Sequence, residues 1–154
     1  MRSLVLAFSL LLAMAGSVSA KVFWWGEAIV VAAPGSECFE GGHFVGNNVR
    51  AVFQPSGLSD NGADSWLSFV GTFHGASLRV VNNRPGPGKT YTGVRIYISG
   101  DHVTGVTGGF KSFVMTPATI TETSRTIFIR TGITNWLATV GCTATIEASF
   151  VRQR

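Results

Sequence analysis

Apolar and polar residues alternate with a period of two along most of the chain. Cys142, Ala144, Ile146, Ala148 and Phe150 form one side of a run whose other side is Thr143, Thr145, Glu147, Ser149 and Val151. That alternation predicts a β-strand with one buried face, and it puts Cys142 on the core side. Val94, Ile96 and Ile98 alternate with Arg95 and Tyr97, and Val49, Ala51 and Phe53 share a face with Arg50 opposite. Leu67, Phe69 and Phe73 share another around Gly71, and Ile127 and Ile129 are flanked by Phe128 and Arg130. Turn chemistry separates these runs at Pro34-Gly35, Gly41-Gly42, Pro55-Ser56-Gly57, Asp60-Asn61-Gly62, Asn82 to Gly88, Ser99-Gly100-Asp101, Gly108-Gly109, Thr116-Pro117, Thr131-Gly132 and Gly141. Breaks of this kind at this spacing mark an all-β domain. The predicted strands are 22–32, 44–54, 65–74, 77–82, 91–99, 102–107, 110–115, 118–121, 126–131 and 142–151. The stretch from Thr134 to Val140 fits either a strand or one helical turn.

No segment has a helical stripe long enough for a βαβ crossover, so the sheet is expected to be antiparallel. Eight to ten short strands fit an up-and-down barrel or a two-sheet sandwich. Short loops between consecutive strands favour the barrel, which also removes exposed sheet edges from a chain this apolar. An outer-membrane barrel needs strands of roughly 9–11 residues. Several runs here are shorter, and the chain ends in the charged tail Phe150-Val151-Arg152-Gln153-Arg154.

The first twenty residues depart from this pattern. Arg2 precedes an unbroken apolar run from Leu4 to Ala15, Gly16 breaks it, and Val18-Ser19-Ala20 supplies small residues at the exit. This is the layout of a secretory signal peptide, and the run is well short of the roughly 20 residues that cross a bilayer. The reading is therefore a signal at 1–20 and one all-β domain at 21–154, beginning at Lys21. It places the mature protein in the periplasm or outside the cell, with no transmembrane segment after cleavage. Leu, Lys and Glu are scarce beyond the signal, which argues against helices. Two cysteines, Cys38 and Cys142, remain in the mature part. An isolated pair in an oxidising compartment reads as one disulfide, which would tie the early chain to the last strand.

The formal net charge of +4 is unevenly placed. Between Lys21 and Asp64 acids dominate: Glu27, Glu37, Glu40, Asp60 and Asp64 against Lys21 and Arg50. From Ser65 onward bases dominate, with Arg79, Arg84, Lys89, Arg95, Lys111, Arg125, Arg130, Arg152 and Arg154 against Asp101, Glu122 and Glu147. A basic later surface is compatible with an anionic partner. With no basic run and no nucleic-acid motif, nucleic acid is not the expected one.

Catalytic signatures are weak. Gly88-Lys89-Thr90 ends like a phosphate-binding loop, but Asn83 stands where that loop needs glycine, and prolines remove amide donors from Arg84-Pro85-Gly86-Pro87-Gly88. No Gly-x-Ser-x-Gly elbow is present. His43, His74 and His102 are far apart in sequence. A hydrolase would need one of them within reach of Asp60, Asp64 or Asp101 and of a nucleophile. Glu27 and Glu147 fall on the first and last strands, which a closed barrel would make neighbours, on an outer face where carboxylates are solvated. Asp60-Asn61-Gly62-Ala63-Asp64 lacks the further acids of a calcium loop. No cofactor or metal is expected.

Aromatics carry the remaining signal. In Val22-Phe23-Trp24-Trp25 the two indoles must point to opposite faces of a strand. Trp66 and Trp136 fall near strand starts or loops, and Tyr97 lies beside Arg95 opposite the Val94/Ile96/Ile98 face. Exposed Trp and Tyr with Arg suit sugar and protein contact surfaces. The sequence thus points to a non-enzymatic exported binding protein, with Trp66, Trp136, Arg95 and Tyr97 as ligand contacts and a glycan, small molecule or envelope protein as ligand. A small secreted hydrolase and a structural protein using an open sheet edge are the alternatives.

Overall fold

A computed structural model describes residues 22–55, 65–71, 74–80, 94–98, 102–103, 108–121 and 123–153; for His74, Arg79, Val80, 94–98 and 102–103 it describes the backbone alone. The predicted turns at 56–57, 60–62, 82–88 and 99–101 lie outside the described residues.

Nine strands form one antiparallel sheet. They are β1 (Trp24–Ala32), β2 (Asn48–Gln54), β3 (Ser65–Val70), β4 (His74–Val80), β5 (Val94–Ile98), β6 (His102–Val103), β7 (Phe110–Thr116), β8 (Thr126–Thr134) and β9 (Thr143–Arg152). Their order is β6-β5-β4-β3-β2-β1-β9-β8-β7. Strands adjacent in sequence lie side by side, as short connections favour, except that β6 and β7 stand at opposite ends of the sheet and the first strand pairs with the last. Trp24 faces Arg152 and Ala28 faces Ala148 across the β1–β9 seam. Among the described residues β6 and β7 do not pair, so the sheet is a curled half-barrel and not a pair of stacked sheets. The curl follows from the apolar face. Phe53 on β2 reaches Phe150 on β9 with ring centroids 5.9 Å apart, across the strand between them. One core cluster gathers Trp24, Ala28, Val30, Phe53, Leu67, Phe69, Leu78, Ile127, Ile129, Ile146 and Phe150.

The alternation along β1 is read out directly: Trp24 is fully buried and Trp25 is 51% exposed. Several local expectations change. Thr131-Gly132, expected as a turn, lies inside β8 and pairs with Ile146 and Thr145 of β9. The strand expected over 65–74 is divided, β3 ending at Val70 and β4 beginning at His74. Ser36–Glu40 forms a short helix, α1, in a stretch read as turn and loop. The predicted strand 118–121 is a bend, because Pro117 has no N–H to extend the β7 ladder and only Ile120 of that run is buried. Thr134–Val140 resolves into the end of β8 and a single 3₁₀ turn at Trp136–Ala138.

Contacts between connections are described at two places on the half-barrel. Beside the start of β1, Trp24 Nε1 donates to the Ser124 carbonyl at 3.2 Å, and the Arg152 guanidinium lies 5.7 Å above the Trp24 ring. At the other, the β1–β2 connection and the β8–β9 connection meet in a cap. Its bolt is the Cys38–Cys142 disulfide, S–S 2.04 Å.

Candidate functional site

The cap is built from two chain segments that cannot hold their shape alone. α1 has only five residues and receives no side-chain cap at its start. Its end is closed by backbone bonds: Gly42 N donates to Phe39 O at 3.0 Å, and His43 N donates to Cys38 O at 2.8 Å. The opposing segment, 135–142, holds Asn135, Leu137 and Ala138 at positive φ. A side chain in that region costs roughly 1–2 kcal/mol. Surrounding contacts offset it. Asn135 Oδ1 accepts from Gly141 N at 2.9 Å, Trp136 N donates to Cys142 O at 3.0 Å, and Cys142 N donates to Thr139 O at 3.1 Å.

The two segments are locked at three points. Cys38 bonds Cys142. His43 Nε2 and Thr139 Oγ1 share a hydrogen bond of 2.8 Å, with the His43 ring buried. Gly41 lies so close to Thr139 that a Cβ there would fall 2.6 Å from its side chain.

Two surfaces result. The tip of the cap exposes Phe39 (69%), Phe44, Val45 and Val140 (68%), with Phe39 and Phe44 packed edge to face at 5.3 Å. Glu37 and Glu40 are exposed beside them, and the segment from Ala33 to Asn47 contains no Lys or Arg. Beneath the tip runs a groove of about 620 Å³, lined by His43, Gly46, Asn47, Asn48, Gly71 and Trp136 among others. It meets a second groove of about 370 Å³ on the outer face of β1–β3, lined by Glu27, Asn48, Val49, Arg50, Val70 and Gly71.

The residues singled out in the sequence divide between these places. Trp136 is fully buried, against the expectation of a surface contact: its ring stands 5.1 Å from that of Phe69 and forms part of the floor of the larger groove. Trp66 is half-buried on β3, opposite Arg79. The register sets Arg95 opposite Ser77 and Tyr97 opposite Gly75, and their side chains lie outside the described ones. Register therefore assigns Trp66, Arg95 and Tyr97 to the sheet face opposite Leu67 and Leu78, whereas Trp136 belongs to the cap.

The hydrolase residues are distributed otherwise. His43 is bonded to Thr139, His74 and His102 both stand opposite Ile98 from either side of β5, and Asp60, Asp64 and Asp101 lie outside the described residues. Glu27 and Glu147 do fall on paired strands, but Glu147 is taken by Arg130 at 2.6 Å. Among the described residues no three His, Cys, Asp or Glu side chains gather as a metal site. The sequence reasoning missed the tip. Its signal was the apolar spacing of Phe39, Phe44, Val45 and Val140 around two cysteines, which a period-two reading does not collect.

The fold and its surfaces define a disulfide-capped antiparallel half-barrel with a filled interior. No family model, curated protein or solved structure matches the chain.

Proposed function

We propose that the protein is an exported, non-enzymatic binding protein that docks a protein partner of the cell envelope or exterior through the tip of its cap. The observation that carries this reading is the exposed Phe39–Phe44 pair, with Val45 next to it in the chain and Val140 exposed on the facing segment, on a backbone locked by Cys38–Cys142. Exposed apolar groups grouped on a rigid support mark interaction surfaces. Rigidity reduces the ordering cost of binding. The interior supports the same reading from the other side: Trp24, Phe53, Phe69, Phe150 and Trp136 fill the space where a lipocalin-type barrel would hold its ligand. The disulfide fits an oxidising compartment, in keeping with the N-terminal signal pattern. No helix among the described residues is long and apolar enough to cross a membrane.

Charge gives the partner its chemistry. Glu37 and Glu40 rim the apolar tip, so the complementary surface is apolar at its centre and basic around it. The test uses the mature chain immobilised in its oxidised form and challenged with an envelope fraction of the source organism. Phe39→Ser with Val140→Ser should lose the captured partner, and Glu37→Gln with Glu40→Gln should weaken its capture and the salt dependence together. Val151→Ser, on the remote outer face, should change nothing. Equal capture by the tip variants would overturn the reading, and so would a partner that binds the reduced, unlocked cap as tightly.

A further inference from the structure

Two cross-strand couples of opposite charge stand on the outer face of the sheet, and they behave differently. Arg130 on β8 and Glu147 on β9 face each other and close to 2.6 Å. Glu27 on β1 and Arg50 on β2 face each other in the same way. Among the described residues these two form no ion pair. Both instead line the groove of about 370 Å³ with Asn48, Val49, Val70 and Gly71. Opposite charges directly across a ladder attract, and contact is their ordinary arrangement. Here a carboxylate acceptor and a guanidinium donor are turned toward one shared space.

Charge decides what can fill that space. An anion gains from Arg50 and loses to Glu27, and a cation does the reverse. A neutral group that carries donors and acceptors side by side satisfies both. Its hydroxyls donate to the Glu27 carboxylate and accept from the Arg50 guanidinium, and such charge-assisted bonds are the stronger kind. Asn48, exposed at the same rim, offers an amide that does either. Trp25 stands outside the groove, past its Glu27 end, on the side away from Asn48. It lies on the same face as Glu27, two residues earlier and about 7 Å along the strand. Half its surface is open to solvent. A flat indole beside hydrogen-bonding groups suits the C–H face of a sugar ring, which packs on the ring while its hydroxyls reach sideways.

We infer that the groove between β1, β2 and β3 is a binding site for a short, neutral glycan segment, held by Glu27, Arg50 and Asn48 and running out past Glu27 onto Trp25. The site shares no residue with the tip of the cap, so it stands or falls separately from the docking of a protein there.

The experiment titrates the mature, oxidised chain with maltotetraose, cellotetraose and chitotetraose, following tryptophan fluorescence and heat. Tetragalacturonate serves as the anionic probe and glycylglycine as the zwitterion. Saturable binding of at least one neutral oligosaccharide, indifferent to added salt, is the expected result. Glu27→Ala and Arg50→Ala should each weaken it by about tenfold or more, the loss of one charge-assisted hydrogen bond. Trp25→Ala should remove the fluorescence change and the binding with it. Arg130→Ala, which opens the other couple, should leave affinity unaltered. All four positions are on the surface, and unchanged melting shows that each variant is folded. The inference is overturned if no neutral oligosaccharide binds at millimolar concentration. It is equally overturned if binding survives in the Glu27 and Arg50 variants, or if tetragalacturonate or glycylglycine binds more tightly.

Discussion

Gly26 shows how closely β1 and β9 approach. A Cβ at this position would fall 1.9 Å from the Ser149 carbonyl oxygen and 2.9 Å from the Phe150 Cα. The obstacle is backbone, which cannot swing aside as a side chain can, so the seam that joins the first and last strands would have to open. We expect Gly26→Ala to destabilise the protein by about 2–4 kcal/mol, in the upper range of overpacking. Urea unfolding would show this as a lower midpoint at unchanged slope, and a midpoint equal to the parent's would refute the close approach. Ala138 presents the opposite case. Its φ of 72° is a conformation that glycine adopts freely. We expect Ala138→Gly to stabilise by about 0.5–1 kcal/mol, the relief of strain less the added freedom of the unfolded chain. A lower melting temperature would mean that the Ala138 methyl contributes more by packing on the core than its backbone costs.

At the scale of elements, the cap depends on a covalent bond more than the sheet does. α1 is shorter than any helix that persists alone in water, and 135–142 carries strained residues, so neither has intrinsic preference for its shape. Cys38 and Cys142 are 104 residues apart in sequence. Closing a loop that long is worth about 4–5 kcal/mol in the chain-entropy description. We expect Cys38→Ala with Cys142→Ala to lose most of that in chemical unfolding, and limited proteolysis to cut first within 33–47. An unchanged midpoint and uncut cap would show that His43–Thr139 and the Gly41 contact suffice without the bond. The same contrast explains what the sequence disclosed. β1, β2, β8 and β9 were legible because each buries one face against the core, and burial imposes period two on the residues themselves. Cys142 at the buried start of the last strand followed from the same rule. The break between β3 and β4 was misplaced, because both Gly71 and Gly75 interrupt the pattern and only pairing tells them apart: Gly75 bonds into the ladder opposite Val70 and Tyr97. The bond that bolts the cap was legible in the isolated pair Cys38 and Cys142, but the shape of the cap was not, since its order comes from contacts between segments about a hundred residues apart. For the same reason Trp136 looked like a surface aromatic: nothing local indicates that Phe69, on a distant strand, covers it.

The whole molecule is a meander whose two ends are stitched together in the middle of the sheet. β1, the first strand to be made, pairs with the last, Trp24 opposite Arg152. The pairing that completes the structure is thus the one with the greatest loop-closure cost, and chains governed by such contacts fold slowly. Stability should be graded outward from that seam. β1 and β9 are flanked on both sides and bury Trp24, Ala28, Val30, Ile146 and Phe150. β6 has two residues and stands at one end, and β7 stands at the other with a register shift between Phe110 and Ser112. We expect native-state hydrogen exchange to find amides of β1, β9 and the inner edge of β8 released only by global unfolding. Amides of β5 and β6 should open at much lower free energy, and those of β7 between the two. The exchange pattern also bears on how the surfaces work together. The glycan groove lies on β1–β3 and the tip of the cap is bolted to the start of β9, so both stand on the part of the sheet that opens last. Ligand at either would then bind a preformed site, with little added protection elsewhere. If β5 and β6 proved as protected as β1, the half-barrel would be closed in solution by a pairing between its two ends. If β1 exchanged early, the seam would not be the anchor of the fold, and the tip of the cap would lack the rigid support that lowers the ordering cost of binding.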